Sequence, residues 1–194
     1  MTSLQFTAVL SIFCCFLAFG NTSEVGPRML PIDKSNSSNW AHCGPKNDLV
    51  IKNLNFPNSI YIPGSVTVSL LGELKVPIEA PLRIEVQVKK KAVWFWMKVP
   101  CLFKYGSCTY RNICEKLNKI FPGNSCPSRI VSYGGSCHCP IKPGVLNVPP
   151  TTFHIPKVRL PSFLASGTYK VQIKAISGKK EIVCFQTTVS MKLK

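Results

Sequence analysis

The sequence predicts an all-β, antiparallel fold. Three observations predict it: apolar residues recur with period two, Pro and Gly punctuate the runs at short intervals, and an even set of cysteines follows an apolar leader.

The leader is the first element. The first 20 residues carry no charge, and an apolar stretch over 10–19 ends in Ala18-Phe19-Gly20, so 1–20 read as a secretory signal peptide. Residues 21–39, with their Ser and Asn, read as a flexible leader, and 40–194 as a single domain long enough to bury a core. Asn36-Ser37-Ser38 fits the glycosylation sequon, which makes Asn36 the candidate carrier; Asn21-Thr22-Ser23 fits it at the predicted new terminus.

Strands are expected next at about 48–56 and 65–74, and then where Leu82, Ile84, Val86 and Val88 alternate with Arg83, Glu85, Gln87 and Lys89. Further strands are expected at 93–99 and 152–159. Around the Ser177-Gly178 turn, alternation over 167–193 predicts a hairpin. One segment breaks the pattern. In 109–121, Ile113, Leu117, Ile120 and Phe121 keep helical spacing and Pro122-Gly123 stops the run, so this is the one substantial helix expected.

Eight cysteines follow the leader: Cys43, Cys101, Cys108, Cys114, Cys126, Cys137, Cys139 and Cys184. Behind a signal peptide they read as four disulfides, with a locally stapled region at 101–139, although spacing alone leaves about 105 pairings open. Cys137-His138-Cys139 also has the flavour of a zinc site, but an oxidising compartment favours disulfides, and no metal or other cofactor is expected.

The formal net charge is +16, from 24 Lys+Arg against 8 Asp+Glu, so the surface seeks anions. The few carboxylates form no acid–base pairing, and no nucleophile elbow, phosphate-cradling loop or HExxH helix is present; the chain does not read as an enzyme. Nor does it carry a zinc-finger spacing, RNP motif or basic helix, which removes nucleic acid as the expected anion.

KKKAVWFWMKVP, residues 89–100, sets Lys89, Lys90 and Lys91 against Val93, Trp94, Phe95 and Trp96. A strand with one wet face does not carry Trp on one side and Phe on the other, so either this is a core strand or something besides the core, lipid or a partner, covers the second set. A membrane interface suits both residue types: aromatics sit at the acyl boundary while lysines reach anionic headgroups. Residues 154–164, HIPKVRLPSFL, repeat the idea with Ile155, Val158, Leu160, Phe163 and Leu164 around Lys157 and Arg159. They read either as a mobile apolar lip or as an edge strand with a turn.

Taken in order, Trp40-x-x-Cys43, Pro63-Gly64, Trp96-x-Lys98-x-Pro100-Cys101, Gly106-Ser107-Cys108 with Cys114, Cys126-Pro127, Tyr133-Gly134, Cys137-His138-Cys139-Pro140, Leu160-Pro161-Ser162 and Gly167-x-Tyr169 resemble the ganglioside GM2 activator family of sphingolipid activators. The resemblance implies an antiparallel β-cup or sandwich with an apolar lipid cavity, one short helix and four disulfides, paired Cys43–Cys184, Cys101–Cys108, Cys114–Cys139 and Cys126–Cys137. It implies a non-enzymatic activator that lifts a glycosphingolipid from a membrane and presents it to a lysosomal β-hexosaminidase, located in the lysosome and/or secreted. Partners would be a glycosphingolipid or other anionic lipid, a membrane surface held peripherally, and β-hexosaminidase A. The lipid-contacting set would be Lys89–Lys91, residues 93–96, Tyr133 and the apolar residues of 154–164. The chain departs from the family where acidic residues usually stand near Lys89–Lys91 and at Lys157 and Arg159, where Phe163 replaces Trp, and where Ser65 replaces a glycosylated Asn. A secreted cationic binder of anionic host or microbial membranes is the alternative reading of the same cup.

Overall fold

In a computed structural model of the chain, residues 40–44, 47–123, 125–157 and 166–193 are described. The expected signal peptide and leader, with Asn36, and the residues Val158, Leu160, Phe163 and Leu164 of the expected lip lie outside them.

Two sheets face each other. The larger runs β1 (Trp40–His42), β10 (Lys180–Leu193), β9 (Gly167–Ser177), β5 (Leu82–Lys91) and β6 (Trp96–Lys98), with β3 (Ser59–Ile62) also against β10 and β7 (Thr109–Tyr110) against β5. The smaller runs β2 (Leu49–Asn55), β4 (Gly64–Leu74) and β8 (Gly144–Ile155). Pairing is antiparallel except that Ser59–Ile62 lie parallel to Ser190–Leu193, a direction that period-two alternation cannot reveal.

Register explains the packing. Across the large sheet, Ile84, Ala175 and Val183 form one inward rung, Val86, Ile173 and Phe185 the next, and Val88, Val171 and Thr187 a third. Because side chains alternate, all of these face the small sheet, while Gln87, Gln172 and Gln186 form an outward rung.

One end is closed. Helix α1 (Ile113–Ile120) buries Ile113, Cys114 and Leu117 against Leu74, Leu82, Ile84, Ile182 and Val183, with Ile130 of the single-turn helix α2 (Ser128–Ser132) in the same cluster. The predicted helix was longer: Thr109 and Tyr110 form a strand instead, opposite Glu85 and Ile84, because the Cys101–Cys108 loop delivers the chain to the edge of β5. Ile120, expected on the apolar face, is 47% exposed.

The bridges join Cys43–Cys184, Cys101–Cys108, Cys114–Cys139 and Cys126–Cys137, the pairing the resemblance implies. Cys137 and Cys139 are therefore both oxidised, and His138 donates from Nε2 to the Phe121 carbonyl at 2.8 Å.

Candidate functional site

The other end is open. Val66, Val68, Ile60, Ile62, Val99, Tyr169 and Val189 form a second buried cluster, with Leu54, Val88, Phe153, Ile155, Val171 and Met191 packed against it only partly buried. Phe153 and Ile155 lie opposite Val66 and Gly64 at the far end of β8, and Val88 and Val171 are mid-sheet neighbours on the inner face. Apolar side chains that face inward from central strands stay partly exposed here, as Val86, Ile173 and Phe185 do nearer the closed end, so the space between the sheets is not packed tight. Two surface depressions, of about 300 and 360 Å³, lie at the closed end, around Val76–Glu79 and Gly134–Val145.

Above that interior stands the predicted lysine-aromatic segment. It is not the expected strand over 93–99. β5 ends at Lys91, Ala92 donates to the Phe95 carbonyl at 2.8 Å, and only Trp96–Lys98 return as β6. A tight turn lifts side chains off the sheet, which leaves Val93 82%, Trp94 84% and Phe95 49% exposed. Trp94 and Phe95 rings stand 6.4 Å apart, forming one apolar tip. Trp96 behaves differently: half-buried, it lies against the outer wall with Lys170 Nζ 4.8 Å from its ring centroid, a cation–π contact.

The three lysines divide by strand parity. Lys90 stands opposite Tyr169 and faces the mouth, whereas Lys89 stands opposite both Lys98 and Lys170 on the outer wall, with Lys91 opposite Trp96. Like charges directly opposite one another destabilise a sheet. The four ion pairs among the described residues, Lys52–Glu73, Arg83–Glu85, Lys174–Glu181 and Lys180–Asp48, leave Lys89, Lys91, Lys98 and Lys170 without a carboxylate. An uncompensated row of lysines beside an apolar tip is a surface shaped for anions.

Ile155 closes β8 at the same rim, with Lys157 exposed beyond it. Tyr133 does not join them. It caps α2 at the closed end, donating its N–H to Arg129 and Ile130 carbonyls, while its own carbonyl accepts from Asn147 N–H. The Cys126–Cys137 staple on either side of α2 holds it there, well over 20 Å along β8 from Ile155 at about 3.3 Å per residue.

Residues 37–191 match the ML domain family. The chain belongs to that family. A relative from Mus musculus named ganglioside GM2 activator is 42% identical over 156 residues, 79% of this chain and 81% of the relative. One of the same name from Macaca fascicularis is 35% identical over 169 residues, 86% of this chain and 89% of the relative. These two place the chain within the GM2 activator branch of the ML domain family. A solved Niemann-Pick type C2 protein from the Japanese carpenter ant is 13% identical, spans 79% of this chain and 98% of its own, and superposes with a TM-score of 0.43.

Proposed function

We propose that this ML domain protein binds a glycosphingolipid in the interior between its sheets, extracts it from a membrane and presents it to β-hexosaminidase A as a non-enzymatic activator. The carrying observation is the open end: inward-facing, half-buried Val88, Val171, Phe153 and Ile155 below an exposed Val93-Trp94-Phe95 tip. Acyl chains leave water for the first, and the second enters the membrane to collect them. Burying one large apolar side chain contributes about 1.5–3 kcal/mol and each lysine near an anionic surface about 1 kcal/mol, enough together for reversible, peripheral attachment. The names of the two relatives support the activator role. The leader supports delivery to the lysosome or outside the cell.

The basic wall favours a second reading, a secreted lipid binder acting on anionic host or microbial membranes without a hydrolase. One experiment separates them. Transfer of a fluorescent ganglioside between vesicles and acid-pH stimulation of β-hexosaminidase A on micellar ganglioside are measured on the same preparation. Both activities are expected; transfer without stimulation selects the second reading, and loss of both sinks the lipid-carrier idea.

A further inference from the structure

The most exposed large apolar side chain of the described residues is not at the rim. Phe103 is 88% exposed, at the tip of the short loop closed by Cys101–Cys108. Leu102 and Tyr105 exchange both backbone hydrogen bonds at 2.8 Å, so Phe103 and Lys104 are the two central residues of a hairpin turn. Both have positive φ, 50° and 69°, in a turn type where Asn-Gly is the ordinary choice. Neither residue has the freedom of glycine, and the surroundings hold them there: the disulfide closes the loop, the Tyr110 hydroxyl donates to the Lys104 carbonyl at 2.8 Å, and Ser107 bonds both the N–H and the carbonyl of Val88. Strain of this kind, over-determined by its neighbours, collects at functional positions.

Place and charge say what it is for. Cys108 accepts from Val86 N–H and Ser107 donates to Val99, so the loop leaves the sheet edge beside β6 several residues behind Lys91. That is roughly 10–15 Å back from the lipid-facing tip at about 3.3 Å per residue. A protein gripping this edge of β5 would meet the base of the loop behind a rim that rests on a membrane. From 98 to 119 the chain carries Lys98, Lys104, Arg111, Lys116 and Lys119 against Glu115 alone. Lys116, partly desolvated, is pushed below the ordinary lysine range, with Lys104 adding to the push.

We propose that Phe103, on its stapled turn, is the anchor by which this protein docks on its hydrolase partner, inserting into an apolar depression bordered by carboxylates. Rigid aromatic anchors surrounded by complementary charge carry most of the binding energy at such contacts. This assignment rests on the hexosaminidase reading above.

The test compares wild type, Phe103→Ser, Phe103→Leu and Lys104→Glu in two assays, vesicle-to-vesicle ganglioside transfer and stimulation of β-hexosaminidase A on micellar ganglioside. Phe103→Ser is expected to raise the concentration for half-maximal stimulation about tenfold or more, with transfer and melting temperature unchanged. Phe103→Leu should restore most of it, and Lys104→Glu should weaken stimulation most at low salt. Stimulation by Phe103→Ser equal to wild type overturns the assignment, as does a matching fall in transfer, which would make Phe103 a lipid contact. If wild type transfers lipid but stimulates nothing, the hexosaminidase reading has failed and the anchor falls with it.

Discussion

Lys90 holds its ammonium 5.7 Å from the centroid of the Tyr169 ring, on the face of β5 opposite to Lys89 and Lys91. Three consecutive lysines are thereby split between two tasks. Tyr169 is 2% exposed, and burial raises its hydroxyl pKa, so Lys90 packs over a ring that belongs to the core while its neighbours face water.

Lys89→Gln with Lys91→Gln is therefore expected to weaken binding to anionic vesicles by about 2 kcal/mol, at about 1 kcal/mol per lysine, and to leave neutral vesicles unaffected. Because β5 also sheds like-charge opposition to Lys98 and Lys170, melting temperature should hold or rise. Lys90→Gln should do the reverse, costing about 0.5–1 kcal/mol of stability through the lost cation–π contact with little change in vesicle affinity. Co-sedimentation at low and high salt beside a thermal melt reads both; equal effects of all three lysines on vesicle affinity would refute the split.

Trp94 and Trp96 make a second contrast. Trp94→Ser with Phe95→Ser should lower lipid transfer on neutral and anionic vesicles alike, since each side chain supplies about 1.5–3 kcal/mol of apolar burial in the membrane. Melting should barely change, because Trp94 is 84% exposed. Trp96→Ser removes the half-buried ring under Lys170 and should lower the melting temperature with less effect on transfer. A large melting loss in the Trp94/Phe95 variant would return those aromatics to the core.

Strand parity was legible in the sequence wherever one face stays wet: 82–88 and the 167–193 hairpin stand where alternation puts them. It failed at Ala92–Phe95, where uninterrupted apolar residues read as strand and only the Ala92–Phe95 turn hydrogen bond reveals a tip. The exposed aromatics were legible as an anomaly, two apolar faces where one was due. Tyr133 stands at the closed end, beside α2, and a motif in the chain says nothing of which end of the cup it reaches. Phe103 left no signal at all, since the residues of a primed turn are ordinarily Asn and Gly, and Phe-Lys advertises neither.

That mismatch is testable as stability. Each L-residue held in the left-handed region costs roughly 1–2 kcal/mol and glycine's extra unfolded-state entropy offsets roughly 0.5–1 of it, so Lys104→Gly alone should stabilise the protein by about 0.5–1 kcal/mol. Phe103→Asn with Lys104→Gly should gain further and fall below wild type in hexosaminidase stimulation, separating the strain from the role argued for it. Chemical denaturation measures the first and the stimulation assay the second; a destabilised Lys104→Gly would mean the turn is not held as described.

Two of the disulfides differ most in what their loss should do. Cys43–Cys184 spans 141 residues and Cys184 is fully buried, so in the chain-entropy picture its removal costs about 5 kcal/mol, a large fraction of the roughly 5–15 kcal/mol that a domain has. Cys43→Ser with Cys184→Ser should therefore fail to fold or melt far below wild type. Cys101–Cys108 spans 7 residues and is worth about 2 kcal/mol on the same scale. Cys101→Ser with Cys108→Ser should fold, keep the Trp94-Phe95 tip and its lipid transfer, yet let the Phe103 turn relax out of its positive-φ geometry. Hexosaminidase stimulation should then fall while transfer persists, because the anchor has lost its fixed presentation and must pay ordering entropy on docking. Unfolding of this variant at moderate temperature would instead make the small loop part of the fold's support, and full stimulation by a folded variant would show that the staple does not position Phe103 for its partner.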